Sequence, residues 1–244
     1  MSGFFSFPSY KIYSRETLAN AAESFGLLPF FPNIVKGLSV EELCAPGMLF
    51  GGNYDEGCWE WKGPVIRERK AAYGKFFHSK AGFVSINLLH HFLNYRRSAY
   101  PLKSGSMDEM LLEIIKENDS LTSTELKVLI YNDYTREDWT ELPEIQSANL
   151  NLSNTKKGRK SLESPLQRLQ MGGHIIISDF EYKITKRGER YGWGVARYST
   201  PEIVFDGLLE KPVISPQESY DFIVDFMTRR WKNSSKKQFE LLLK

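Results

Sequence analysis

The stretch that most constrains the fold is 161–199, SLESPLQRLQMGGHIIISDFEYKITKRGERYGWGVARYS. Its first part places Leu162, Leu166, Leu169 and Gln170 on one face of a helix, with polar and basic residues on the opposite face. This spacing predicts a surface helix with one face in the core.

Both ends of this helix have residues that helix ends favour. Ser161 stands where an N-cap belongs, and Ser164-Pro165 falls in the first turn, where a missing backbone N–H has no cost. Gly172-Gly173 supplies the C-terminal stop. We therefore expect one helix between Ser161 and Gly172.

Two strand-like segments follow the helix. HIIIS and GVARYS are rich in Ile, Val and Tyr, and KRGER between them combines a glycine turn with basic residues. A helix that leads directly into a two-stranded ribbon with a basic tip is the second half of a winged helix-turn-helix. This pattern makes nucleic acid the first partner to consider, although it identifies no reaction.

Two amphipathic segments upstream are candidates for the first half of that motif. SMDEMLLEIIKEN begins at a capping Ser106, and LTSTELKVLIYN begins at Thr122 or Ser123. Each has an apolar stripe at helical spacing, and NDSL joins them. Residues 132–157 separate the second helix from the basic one, which is long for a loop in a compact domain. We interpret this segment as an insertion.

The N-terminal part has the pattern of a small α+β unit. Helices are predicted over about 14–24 with Ser14 as the cap, over LSVEELCA with Ser39 as the cap, and over 86–95. Trp59 and Trp61 alternate with Glu60, a period-two strand pattern, and AAYGKFF and AGFVS are the second and third predicted strands. A second winged-helix-like module would have the same elements.

The C-terminal part is predicted to be an extension that ends in helices. TPEIVFDGLLEKPVISP is expected to be extended, PQESYDFIVDFMTRRW to form a closing helix, and SSKKQFELLLK to form a frayed terminal helix. We therefore predict an α+β protein in three parts: an N-terminal α+β unit over 1–101, a winged helix-turn-helix domain over 102–200 and a C-terminal extension over 201–244.

Charge is distributed unevenly along the chain, although the total of +2 says little. Residues 1–101 contain 11 Lys and Arg against 8 Asp and Glu, a balance of +3, and residues 102–152 contain 4 against 11, a balance of −7. Residues 153–200 contain 10 against 4, a balance of +6, and residues 201–244 contain 7 of each. The basic excess coincides with the predicted helix and ribbon, as expected of a phosphate-binding surface. A solvated face of a stable domain is the alternative interpretation.

Composition excludes several other classes of protein. Hydrophobic residues make up 41% and charged residues 25% of the 244 positions, as in ordinary folded proteins. No apolar run approaches the roughly 20 residues that span a bilayer, and the N-terminus does not resemble a signal peptide. Cys44 and Cys58 cannot build a disulfide framework, so we expect two half-buried thiols and a cytoplasmic protein.

Eight short segments between about Phe25 and Glu202 carry a family resemblance: GLLPF, LSVEEL, WEWKG, AYGKFF, KAGFVS, ELK, LQRLQMGGHIII and RYGWGVARYSTPE. Together they resemble the AlkZ-related proteins, relatives of the bacterial AlkZ/YcaQ DNA glycosylases. AYGKFF and GWGVARYSTPE are the most specific of these segments. The resemblance implies a winged-helix fold, a bacterial cytoplasmic protein and a role on DNA.

One feature of the glycosylases is absent from the sequence. AlkZ-type enzymes use a Gln-apolar-Gln or Gln-apolar-Asp tripeptide to handle the excised base and the attacking water. Here Gln146 is followed by Ser-Ala, Gln167 by Arg-Leu and Gln170 by Met-Gly. The resemblance therefore assigns no catalytic residue to this chain.

Candidate catalytic groups are few. Base excision usually needs a carboxylate or an amide in a pocket that receives a flipped nucleotide. Glu60, with Asp55 and Glu56, lies beside Trp59 and Trp61 and is the candidate carboxylate, although core aromatics with a solvated acid have the same pattern. The histidines and cysteines have no HxxxH, CxxC or HExxH spacing, which argues against a metal site. No GxGxxG, Walker loop or GxSxG elbow is present, so no cofactor is expected.

Nucleic-acid binding has better support from the residue pattern. The residues expected to contact phosphates or base edges lie on the basic helix, its N-terminal approach and the wing: Lys156, Lys157, Arg159, Lys160, Gln167, Arg168, Lys183, Lys186, Arg187 and Arg190. Three interpretations stay open: a winged-helix protein that binds double-stranded DNA, a nucleic-acid enzyme that uses residues such as Glu60, and a module without catalytic activity that binds a protein or forms a homodimer. No membrane partner is expected.

Overall fold

The structure is a computed structural model that describes residues 10–51, 57–132, 162–209 and 214–244. In chain order the elements are α1 (Arg15–Ser24), β1 (Leu27–Pro29), α2 (Val40–Leu43), α3 (Cys58–Arg67), β2 (Ala71–Phe77), β3 (Lys80–Ser85), α4 (Ile86–Ala99), α5 (Met107–Glu117), β4 (Leu121–Thr122), α6 (Ser123–Asn132), α7 (Glu163–Met171), β5 (Ile176–Ile184), β6 (Arg190–Ser199), α8 (Pro201–Val204), α9 (Pro216–Arg230) and α10 (Lys236–Leu242). The protein therefore combines helices with an antiparallel sheet. Within the described ranges, no helix has the length and apolar character needed to cross a membrane.

Two segments of the chain repeat the same order of elements. The first runs α1-β1-α2-α3-β2-β3, and β1 pairs with β3 through Leu27 opposite Val84. The second, over its described residues, runs α5-β4-α6-α7-β5-β6, and β4 pairs with β6 through Leu121 opposite Tyr198. The sequence shows no matching repeat, so this similarity is visible only in three dimensions.

The two segments share one six-stranded sheet with the strand order β1-β3-β2-β5-β6-β4. They join between β2 and β5, where Tyr73 lies opposite Ile177 in an antiparallel pair. From this join outward, one half of the sheet runs β2, β3, β1, and the other runs β5, β6, β4. The hairpins of two similar units therefore meet at the centre of the sheet.

Buried apolar side chains form two clusters. The larger one is built from α1, the β1–β3 strands, α3 and α4, and it continues into α9 and α10. The smaller one lies among α5, α6 and α7. Tyr198 of β6 packs against both clusters, so the second hairpin connects the two cores.

Most of the predicted helices are present with their predicted caps. Ser14 caps α1 in a reciprocal capping box with Thr17, and Ser106 caps α5. The Thr122 hydroxyl accepts from the Glu125 N–H at 3.2 Å, and the Glu125 carboxylate accepts from the Thr122 N–H at 2.7 Å. Of the two caps considered for α6, Thr122 is therefore the one used.

The start of α7 differs from the prediction, and its other features agree. The residue before the helix is Leu162, which makes no side-chain cap bond, whereas Ser161 lies outside the described residues. Gly172 ends the helix and Gly173 follows at φ +68°, a backbone conformation that favours glycine. The face predicted to be apolar is buried, including Gln170.

The predicted Trp-Glu-Trp strand is wrong, because Trp59 and Trp61 lie in α3. The fully buried residues of this helix include Cys58, Lys62 and Val65, which are three or four positions apart. That spacing is the helical period, and it becomes visible only when the pattern is followed beyond the tryptophans. A three-residue window cannot separate a period of 2 from one of 3.6.

Two predictions for the C-terminal part are also wrong. The segment after β6 is not wholly extended, because the Thr200 hydroxyl caps the short helix α8 by accepting from the Ile203 N–H at 3.3 Å. The terminal helix is not frayed, because Phe239, Leu242 and Leu243 are fully buried. These side chains belong to the larger core, where they anchor the end of the chain.

Cys44 and Cys58 form a disulfide, which corrects the prediction of two free thiols. The bridge joins the C-terminal end of α2 to the first residue of α3. Beside the bridge, the Ile12 N–H donates to the Leu43 carbonyl at 2.9 Å. Residue spacing alone gives no sign of this contact.

Candidate nucleic-acid interface

The β5–β6 hairpin extends beyond the rest of the sheet. Strand β5 pairs with β2 at Ile177, and β6 pairs with β4 at Arg197 and Tyr198. Toward the turn, within the described part of the chain, the two strands pair only with each other. Every residue over 186–193 is exposed. This distal half of the hairpin therefore has the accessibility that a binding surface needs.

The hairpin has an excess of positive charge at its exposed end. The structure places all four predicted wing cations there, namely Lys183, Lys186, Arg187 and Arg190, with Glu189 as the acid among them. The Arg190 guanidinium lies over the Tyr182 ring, 4.9 Å from its centroid, which keeps the charge close to the hairpin. Their contact with phosphate stays a prediction.

A defined turn holds the tip of the hairpin. The Thr185 N–H donates to the Glu189 carbonyl at 2.8 Å, and the Gly188 N–H donates to the Thr185 carbonyl at 2.9 Å. Gly188 has φ +83°, which non-glycine residues rarely adopt. The Thr185 hydroxyl also accepts from the N–H groups of Arg187 and Glu189. The tip cations therefore project from a hydrogen-bonded turn.

Arg197 fastens the base of the hairpin to β4 and α6. Its guanidinium donates to the Ser120 carbonyl at 2.6 Å and to the Ser120 hydroxyl at 3.2 Å. It also forms ion pairs with Glu181 and, at 3.5 Å, with Glu125. The charge of Arg197 therefore stabilises the base of the hairpin.

Glu60 contacts the hairpin from α3. The Tyr182 hydroxyl donates to Glu60 Oε2 at 2.8 Å. Burial, followed by this hydrogen bond to a carboxylate, raises the pKa of Tyr182 above its ordinary value. Glu60, the predicted catalytic candidate, is therefore half-buried, and its carboxylate is hydrogen-bonded to the Tyr182 hydroxyl. No group of three His, Cys, Asp or Glu side chains suited to a metal ion occurs in the described ranges.

Lys62, two residues after Glu60 in α3, is a buried lysine. Its side chain is enclosed by aromatic rings, with Nζ 3.9 Å from the Trp59 ring centroid and 4.5 Å from that of Phe180. The amine also donates to the Trp59 carbonyl. Burial lowers the pKa of Lys62 to about 8, although the Glu60 carboxylate opposes this effect. The amine therefore links α3, Trp59 and the hairpin.

The Gly192-Trp193-Gly194 segment of β6 sets the position of an exposed tryptophan. Gly192 has φ +74°. A Cβ atom at Gly194 would lie 2.9 Å from Tyr182 Cζ, so only glycine leaves room for the Tyr182 ring that reaches Glu60. Trp193 itself is 70% exposed. Its ring lies perpendicular to that of Trp59, with the centroids 5.7 Å apart.

The basic helix α7 is largely committed to internal contacts. Arg168 forms a two-bond ion pair with Asp108 of α5, at 2.6 and 2.8 Å. The Gln167 amide donates to the Ser79 hydroxyl at 2.7 Å. Gln170 is buried, as its place on the predicted core face indicates, and accepts from the Lys75 N–H at 3.1 Å. The structure thus brings the wing cations together and places Gln167 and Arg168 apart from them, against α5 and the first hairpin.

The remaining predicted residues lie outside the described ranges. These are the four cations before α7 and the two acids before α3: Lys156, Lys157, Arg159, Lys160, Asp55 and Glu56. Their proposed roles stay predictions.

Sequence analysis missed three members of the site, namely Lys62, Tyr182 and Trp193. Treating the Trp59 region as a strand hid the i,i+3 relation between Trp59 and the buried Lys62 in α3. Tyr182 gave no signal, because its partner is 122 positions away in the chain. The glycines on both sides of Trp193 were a usable signal for a fixed and exposed ring.

Comparison with known proteins gives one family and one similar structure. The family described as AlkZ related matches residues 12–244. The Streptomyces sahachiroi DNA glycosylase AlkZ has a similar structure, with 11% sequence identity and a TM-score of 0.47 over 96% of this chain. This chain spans 59% of that glycosylase. No curated protein sequence matches significantly.

The family match covers nearly the whole chain, including the α3 helix, both hairpins and the C-terminal helices. It agrees with the resemblance seen in AYGKFF and GWGVARYSTPE, which form β2 and much of β6 and α8. The protein is a member of the AlkZ-related family.

Proposed function

We propose that this protein binds double-stranded DNA through two winged helix-turn-helix units, with the β5–β6 hairpin as the principal contact, and that it lacks the glycosylase tripeptide. The observation that supports the proposal most is the cluster of four exposed cations on a hairpin that extends beyond its sheet. The repeated helix-strand-helix-helix-strand-strand order, with the first strand paired to the third, is the arrangement expected of such units.

Electrostatics favours the hairpin over α7 as the contact. Within the exposed end of the hairpin, four cations stand against the single acid Glu189. On α7, the charge of Arg168 is already balanced by Asp108. A phosphate that approached Arg168 would therefore meet a neutral pair, whereas residues 183–193 of the hairpin carry a formal charge of +3. Binding by the wing is expected to be independent of sequence, because phosphate contacts carry no base information.

The test is a fluorescence-anisotropy titration with a random-sequence duplex at several salt concentrations. We expect micromolar binding that weakens steeply as salt rises, because each neutralised phosphate contributes about 0.9 to the slope of log affinity against log salt. The triple variant Lys186→Ala, Arg187→Ala and Arg190→Ala should weaken binding and reduce the slope by up to about 2.7. Its melting temperature should stay nearly unchanged, because exposed charges contribute little to stability.

A charge-matched variant controls for total charge. Arg229, Lys232 and Lys237 are exposed on and after α9, away from the hairpin in sequence, and replacing all three with Ala removes the same +3. We expect this variant to keep nearly all of the duplex affinity. Equal losses in the two triple variants would show that net charge alone drives binding, and the wing would then have no special role.

A second candidate function rests on the Glu60–Tyr182 contact. A half-buried carboxylate beside aromatic rings has the components that a base-excision site needs, since it can stabilise positive charge on the sugar or activate water. The test is release of modified bases from alkylated duplex DNA by the wild-type protein and by Glu60→Gln. Excision that Glu60→Gln abolishes would support the enzyme, and no excision by the wild type would exclude it on this substrate.

A further inference from the structure

We propose that Trp193, together with Trp59 and Phe50, forms a platform on which an unpaired nucleobase stacks, with its phosphates held by the neighbouring wing cations. This inference rests on the proposed DNA binding and adds the kind of DNA that binds best. The ligand class is a nucleotide outside the double helix, either in a single strand or extruded from a duplex.

The platform is a continuous row of aromatic rings at the surface. Trp59 is the central ring, with the Trp193 centroid 5.7 Å away and the Phe50 centroid 5.9 Å away. Trp193 is 70% exposed and Phe50 is 54% exposed. A buried row of this kind would be ordinary core packing. Here the two outer rings keep most of their surface in water, which is unfavourable for an indole unless a partner covers it.

The local backbone and side chains fix the platform. Gly192 has φ +74°, and Gly194 makes room for the Tyr182 ring, so Trp193 is set between two positions that suit glycine. Beneath the central ring, the Lys62 amine lies 3.9 Å from the Trp59 centroid and bonds to the Trp59 carbonyl. A ring held in this way loses little conformational freedom when a base stacks on it.

The polar groups around the rings match a nucleotide. Arg190 lies three residues before Trp193 on the same strand, and Lys183 lies opposite Tyr191 on the partner strand. These cations suit the phosphates on either side of a stacked base. The Tyr182 hydroxyl holds the Glu60 carboxylate against the same hairpin, and a carboxylate suits the amino or ring N–H groups that an unpaired base exposes.

A nucleic acid fits this combination better than a protein surface does. Every nucleotide combines the broad aromatic face of its base with a negatively charged phosphate, and the site offers aromatic faces together with an excess of cations. A protein partner would instead need an apolar residue surrounded by acids. Stacking of one base on an aromatic side chain contributes about 1–3 kcal/mol, and it tolerates any base sequence.

The test compares an intact duplex with the same duplex that contains one unpaired, bulged adenine, and with a single strand of the same length. Wild-type protein should bind the bulged duplex more tightly than the intact one. Trp193→Ala should lose about 5- to 150-fold in affinity for the bulged duplex and the single strand, as expected for one lost stacking contact. Its affinity for the intact duplex should stay within twofold of wild type.

Two control variants make the result specific. Trp193→Phe keeps an aromatic face and should restore most of the preference for the bulge. Tyr13→Ala removes another aromatic side chain, 63% exposed on the N-terminal side of α1, and should change neither affinity. Circular dichroism melting should show both Trp193 variants folded, because their side chain is exposed.

The outcomes separate this proposal from the proposed function. Salt-dependent duplex binding that needs the wing cations, together with unchanged bulge and single-strand affinity in Trp193→Ala, would refute the platform and leave duplex binding intact. Absence of all DNA binding in the wild type would overturn both. If Trp193→Ala instead abolished self-association seen by sedimentation, the rings would be a protein contact and the platform would be refuted.

Discussion

Replacing Lys62 by Met should change how the stability of the protein depends on pH. The Lys62 amine is buried between the Trp59 and Phe180 rings, and burial lowers its pKa from 10.5 to about 8. Between these values the unfolded chain binds more protons than the folded protein, so the contribution of Lys62 to stability rises with pH. Below pH 8 both states are protonated, and the full cost of burying the charge is present.

The size of this effect follows from the same two values. The folded and unfolded pKa values differ by about 2.5, which at about 1.4 kcal/mol per pH unit corresponds to about 3–4 kcal/mol in total. Most but not all of this, about 2–3 kcal/mol, should be recovered between pH 7 and pH 10, because the unfolded chain still binds part of a proton at pH 10. Methionine does not titrate. The free energy of unfolding of Lys62→Met minus that of wild type should therefore fall by about 2–3 kcal/mol over this range.

Urea unfolding followed by tryptophan fluorescence at pH 7, 8, 9 and 10 measures the difference. Loss of the bond from Nζ to the Trp59 carbonyl adds an offset that is the same at every pH, so the slope is the diagnostic quantity. Lys80→Met is the matched control, because the Lys80 side chain is exposed, and its curve should run parallel to that of wild type. A Lys62→Met curve that also ran parallel would refute the assignment of Lys62 as a buried charge.

Two further predictions concern stability. The Cys44–Cys58 bridge closes a loop with a sequence separation of 14. If the bridge stabilises the protein by restricting the unfolded chain, a loop of this length contributes about 3 kcal/mol, so reduction should lower the free energy of unfolding by that order. Rapid alkylation of both thiols without reductant would contradict the bridge. Leu242→Ala should destabilise the protein by about 2–5 kcal/mol in urea unfolding, because the Leu242 side chain is fully buried. Lys244→Ala is the control and should have almost no effect, because the Lys244 side chain is exposed. Equal effects of the two substitutions would contradict the packing of α10 against the core.

The predictions from sequence succeeded where local physics decides the structure. The caps Ser14, Ser39 and Ser106 each precede a helix, because a side-chain oxygen next to an apolar period satisfies backbone N–H groups whatever the rest of the fold does. The β2–β3 and β5–β6 hairpins follow from strand-forming residues on both sides of short turns. The wing cations were equally visible, since charge near a glycine turn is a local feature.

The predictions failed where a contact between distant segments decides. Trp59 and Trp61 fit a strand within three residues, and only the burial of Lys62 and Val65 against the core selects the helix. The C-terminal helix was predicted to be frayed, because its own sequence does not indicate that Phe239 packs into the larger core beside α9. Burial of this kind depends on which partner the fold supplies.

For the candidate site, sequence alone determined the charge, and the tertiary structure decided which charges are available. In the sequence, Gln167 and Arg168 have the positions expected of exposed residues on a recognition helix. In the folded protein, Gln167 is hydrogen-bonded to Ser79. Arg168 is paired with Asp108. Glu60 meets Tyr182 only because α3 packs against the second hairpin. Sequence fixes what each side chain can do within a turn or two, because backbone geometry sets those distances. Which groups meet across the molecule depends on how the two units pack, and that packing placed the aromatic rings beside the wing.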